Sequence, residues 1–137
     1  METLLSDTSR QLAGILFVAL VTVETGGLYM LKIVRGREDL TPFQESFARA
    51  GHAHAGVLLV LALVCQPFVD ATDLSGPWAW VARSGVAVSA LLMPGGFFFS
   101  SIGPGRTEPN RLIALVLAGA ALLAVSLATF RVGLFAT

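Results

Sequence analysis

Four apolar stretches, each long enough to cross a bilayer, constrain this chain more than anything else in it. A spanning helix needs about 20 mostly apolar residues. Such runs extend over about 11–33, 42–69, 77–101 and 112–135, with short polar connections between them. Composition agrees. Of 137 residues, 55% are hydrophobic and 13% charged, about half the charge density of a soluble domain. The mean hydropathy is +0.76. A soluble fold would lack a polar shell, whereas a surface facing lipid must itself be apolar. The expectation is an all-α fold: a four-transmembrane-helix antiparallel bundle forming a single integral membrane domain over 1–137.

The connections carry start and stop signals. Arg35-Gly36-Arg37-Glu38-Asp39 ends the first helix. Thr41-Pro42-Phe43-Gln44 then reads as a capping box with proline at the first helical position. Asp70 to Gly76 is a short acidic turn, Gly103-Pro104-Gly105 breaks the chain, and Asn110-Arg111 opens the fourth helix. Pro94, followed by Gly95-Gly96, predicts a kink in the third helix. The first apolar run is too long for the core of a signal peptide and predicts a retained helix.

Basic residues orient a polytopic chain. Lys32, Arg35 and Arg37 flank the 1–2 connection, with Arg49 close by, and Arg106 and Arg111 flank the 3–4 connection. Both connections are therefore expected in the cytoplasm and both termini outside, in a multi-pass protein of the cell membrane. Trp78 and Trp80 suit an interfacial aromatic belt. Zero net charge gives no reason to expect nucleic acid as a partner. The expected partners are the lipid bilayer and, from the small-residue faces, other copies of the chain in a dimer or trimer. The single Cys65 cannot form an internal disulfide.

Ionisable residues inside apolar spans are the best functional pointers in such a chain. Glu24 lies within helix 1; His52 and His54 lie where helix 2 turns apolar, just after Arg49. Glu24 is ten residues before Val34, and His52 ten residues after Pro42, so both sit roughly 15 Å from the turn joining their helices. Equal depth predicts that they pair, with Arg49 the rival partner for Glu24. Two residues apart on a helix, His52 and His54 point about 200° apart and do not chelate one ion together. The Glu45-Arg49-His52-Gly56-Leu59 stripe is expected to face the bundle, and His54 another helix or a second subunit. Ligand- or cofactor-binding candidates are therefore Glu24, Arg49, His52 and His54; no catalytic residue is identified. Phosphate loops, CxxC pairs and nucleophile elbows are absent from the sequence.

The chain resembles short four-helix integral membrane proteins of bacteria through Phe47-Ala48-Arg49-Ala50-Gly51-His52-Ala53-His54-Ala55-Gly56, Met93-Pro94-Gly95-Gly96-Phe97-Phe98 and Pro109-Asn110-Arg111-Leu112. Arg49-Ala50 and His54 are similar to the opening of the second helix in the MAPEG proteins. That resemblance implies a trimeric membrane enzyme or lipid-binding protein, although Gly56 stands where that family has asparagine. His52-Ala53-His54 resembles the His-x-His helix of haem–copper oxidase subunit I. That likeness implies haem b, with His52 and His54 as metal ligands. The expected function is a small polytopic membrane protein with a polar intramembrane His/Glu site for a ligand or cofactor. The alternatives are the MAPEG-like protein and a non-catalytic accessory subunit of a membrane complex.

Overall fold

The computed structural model describes residues 5–136, and these are all-helical apart from their connections. Helix α1 spans Asp7–Val34, α2 Pro42–Asp70, α3 Gly76–Ser100 and α4 Ala114–Phe135; a 3₁₀ turn, Arg111–Ile113, leads into α4. All four spans are long and apolar enough to cross a membrane.

Local chemistry sets the ends. Ser6 caps α1, its hydroxyl accepting from the Ser9 amide. The helix thus begins one turn before its apolar part, because Asp7–Arg10 are polar but well capped. At α2 the capping box forms as the sequence predicts: Thr41 accepts from the Gln44 amide, and the Gln44 side chain accepts from the Thr41 amide. Asn110 accepts from the Leu112 amide and starts the 3₁₀ turn. Gly103 and Gly105 adopt positive φ, 116° and 62°, as the reversal between α3 and α4 requires. Helix α3 continues unbroken through Pro94 to Ser100, so this proline does not end the helix.

Packing follows chain order. The most extensive interfaces are α3 on α4 and α2 on α3, with α1 laid along α2. The face that α2 turns inward steps through Gln44, Ala48, Gly51, Leu58, Ala62, Cys65 and Val69, all buried. With half-buried Ala55 in the gap, this is an alternating four–three spacing, the spacing of a helix–helix seam. On α4 only Gly119, Ser126 and Gly133 are buried, a small residue at every seventh position: Gly119 and Ser126 let α3 come close, and Gly133 makes room for Leu74 of the 2–3 connection. Helices α1 and α4 expose most of their apolar side chains, among them Ile15, Phe17, Val18, Val21, Leu117 and Val132.

Each end of the molecule is tied by polar contacts. At one end Ser6 and Ser9 of α1 meet Asp70 of α2 and Arg83 of α3. At the other, the Gln44 amide donates to the Ser101 and Gly103 carbonyls at 2.9 and 2.7 Å. There Asn110 also donates to Phe99 O at 2.9 Å.

Candidate functional site

Glu24 and His52 come together where α1 crosses α2. Both line an open recess of about 450 Å³, with Leu20, Val23 and Gly27. The two residues expected at equal depth lie at one place. Their direct pairing does not form: neither side chain has a hydrogen bond or an ion pair among the described residues. The reason lies in the glycines. A Cβ on Gly26 would come 3.2 Å from Nδ1 of His52, and one on Gly27 would come 3.9 Å from Nε2. The imidazole therefore lies on the bare backbone of Gly26-Gly27, and Glu24, one turn-fraction away, borders the opening beside it.

The far side of the crossing opens as well. His52, Val23, Ala53, Gly56, Val57 and Val60 line a second recess of about 410 Å³. His52 is thus a half-buried polar ridge between two openings. The hydroxyls nearby do not contribute: Thr22 and Thr25 donate back to the Ala19 and Thr22 carbonyls, each at 2.6 Å.

The other two candidates go elsewhere. Arg49 donates to Glu45 on the preceding turn at 2.9 Å, a local pair of the ordinary i,i+4 kind, and its side chain is exposed. The expected Glu24–Arg49 pair is absent. The stripe assignment is also corrected. The seam through Gln44, Ala48, Gly51 and Leu58 faces the core together with Leu59 of the expected stripe, whereas His52 and Gly56 face α1 and Arg49 is exposed. His54 turns to α3, its ring 5.0 Å from that of Phe97, with Nδ1 at 2.7 Å from Ala50 O. That carbonyl can only accept, so Nδ1 carries the proton and Nε2 remains free.

This geometry bears on haem. An axial imidazole must present a free nitrogen to an open slot. His52 stands against Gly26-Gly27 of α1 but borders both recesses with no hydrogen bond among the described residues, and Nε2 of His54 is likewise unbonded, so neither imidazole is excluded from that role. No group of three His, Cys, Asp or Glu side chains converges among the described residues.

Sequence reasoning missed a polar cluster at the opposite end. Arg83 donates to Asp70 at 2.7 Å, with the two side chains 14% and 12% exposed. The Ser6 amide and hydroxyl donate to the same carboxylate at 2.8 and 2.9 Å. Gln66, fully buried, donates to the Ala62 and Arg83 carbonyls. The available signal was Ser6-x-x-Ser9 ahead of an apolar run, with a lone arginine about two turns inside α3. Comparison of the chain with protein-family models, curated proteins and solved structures finds no match in any of the three.

Proposed function

We propose that this is a multi-pass membrane protein, an antiparallel four-helix transmembrane bundle, whose α1–α2 recess binds a small amphipathic ligand through Glu24 and His52. One observation carries the reading: two ionisable side chains with no partner among the described residues border one recess in the middle of apolar helices. An unpartnered polar group in hydrocarbon is costly. A ligand that donates to the carboxylate or hydrogen-bonds the imidazole offsets that cost, while Leu20 and Val23 cover its apolar part. The exposed apolar faces of α1 and α4 are taken up by lipid and by further copies of the chain.

Native mass spectrometry of protein purified in mild detergent tests the site. The wild type is expected to carry a small-molecule adduct, and Glu24→Leu and His52→Leu are each expected to lower its occupancy about tenfold, since about 1.4 kcal/mol of lost interaction is a factor of ten. A wild type free of any adduct would remove the support for a ligand site. An adduct of haem mass, with a Soret band weakened by His52→Ala or by His54→Ala, would identify the ligand as haem and the imidazole that holds it.

Orientation has its own test. Reporter fusions after Arg37 and Arg106 are expected to read cytoplasmic, and one after the C-terminal residue external, because the basic residues concentrate at those two connections. A cytoplasmic C-terminus would overturn the assignment.

A further inference from the structure

A separate recess, of about 360 Å³, lies at the end of the molecule where the 1–2 and 3–4 connections meet. Its lining includes Tyr29, Asp39, Gln44, Phe98, Phe99 and Gly103. Its frame is fixed before any ligand arrives. The Gln44 side chain bridges the Thr41 amide on one side and the Ser101 and Gly103 carbonyls on the other, and Thr41 also donates its hydroxyl to Arg106 O. Gly51 makes room for the Phe98 ring: a Cβ there would stand 2.9 Å from it. Pre-formed recesses of this kind, mostly apolar with a few convergent polar groups, are the usual form of small-molecule sites.

The lining has one charge. Asp39 has no ion pair or hydrogen bond among the described residues, although Lys32, Arg35 and Arg37 are near in sequence. Three aromatic rings share the recess with it. Aromatic faces and a carboxylate together attract a soft, poorly hydrated cation, the pattern that recognises quaternary ammonium groups. Beside Gly103, Arg106 donates to the Ile102 and Glu108 carbonyls at 2.9 and 3.4 Å. It sets a fixed positive charge next to the recess, where the phosphate of a zwitterionic headgroup would lie. Tyr29 is five residues from the end of α1, roughly 7.5 Å along the axis, at the level where headgroups meet the hydrocarbon.

We infer that this recess binds an alkylammonium group, its charge against Asp39 and its methyl or methylene groups against Tyr29, Phe98 and Phe99. The group can come from a zwitterionic lipid headgroup or from a free ammonium compound, and the experiment separates the two. The full chain in a non-ionic maltoside detergent is titrated calorimetrically with a short-chain phosphocholine lipid, its phosphoglycerol counterpart, and tetramethylammonium. The phosphocholine lipid is expected to bind and the phosphoglycerol lipid to bind at least tenfold more weakly. Tetramethylammonium binding as well would point to a free ammonium ligand; lipid binding without it would point to the headgroup. In either case Asp39→Asn is expected to weaken binding about tenfold and Tyr29→Leu several-fold, with thermal unfolding unchanged, while Glu108→Gln leaves binding as it is. Equal affinity for the two lipids, no binding of either cationic probe, or wild-type affinity in Asp39→Asn would each overturn the inference. The Glu24–His52 adduct is measured independently, so failure of one site leaves the other to stand or fall by itself.

Discussion

Asp70→Leu is expected to be among the most destabilising single substitutions in the chain, lowering stability in detergent by about 3–5 kcal/mol, the usual cost of breaking a buried ion pair. The carboxylate accepts from Arg83 and from the amide and hydroxyl of Ser6, and so it joins α1, α2 and α3 at one end. Its removal leaves the Arg83 guanidinium, only 14% exposed, with serine hydroxyls alone for partners. Arg83→Leu should cost less. Asp70 then keeps both donors from Ser6. The order of the two singles is therefore part of the prediction. Replacing both residues removes the charge from the cluster altogether, which can be nearly neutral when apolar side chains fill the space. Unfolding of the two singles and the double should give a coupling of at least 1 kcal/mol, and simple addition within about 0.5 kcal/mol would mean the residues are independent.

That cluster also shows where a sequence stops being informative. The spans, the Thr41 capping box and the Asn110 start rest on runs and neighbours, which a linear reading contains. The Arg49–Glu45 pair is equally local, and its i,i+4 spacing outweighs the longer-range partner expected for Arg49. Asp70 and Arg83 lie on different helices, and only tertiary packing brings Ser6 to them. Depth along a helix is readable at 1.5 Å per residue. It put Glu24 and His52 in one recess but could not decide their contact, because rotation about the axis depends on which faces pack. The face of α2 that packs on α3 contains Gln44, Ala48, Gly51 and Ala62. These residues carry little hydrophobic contrast, so the more conspicuous polar stripe drew the inward assignment. In lipid both faces of a helix are apolar, and close packing by small residues replaces contrast as the signal.

Glycine substitutions separate close packing from intrinsic helix preference, and Gly96→Ala gives the sharpest case. Alanine is the better helix former by about 1 kcal/mol in an exposed helix interior. At Gly14 of α1 a Cβ meets nothing within 4 Å, so Gly14→Ala should hold or raise stability by up to that amount. At Gly96 a Cβ would lie 2.6 Å from Val116 Cγ2 and 2.7 Å from the Val116 backbone nitrogen. A side chain can rotate away, but a helix backbone cannot yield locally, so α3 and α4 must move apart along their most extensive interface. Overpacking of this kind costs about 1–3 kcal/mol, against the helix preference. Gly96→Leu should go further and leave little folded protein after extraction. Val116→Ala should restore only part of the loss in Gly96→Ala, because it removes the methyl contact and leaves the backbone one. Gly119→Ala is the intermediate case: its nearest obstacle is Met93 Cγ at 2.6 Å, with the Met93 nitrogen farther off at 3.1 Å. A flexible thioether adapts more easily than a backbone. Thermal unfolding should therefore rank the variants Gly14→Ala, Gly119→Ala, Gly96→Ala from most to least stable. A Gly96→Ala protein as stable as wild type would show that α3 and α4 do not approach this closely, and the small residues Gly119 and Ser126 would lose their role in setting the α3–α4 distance.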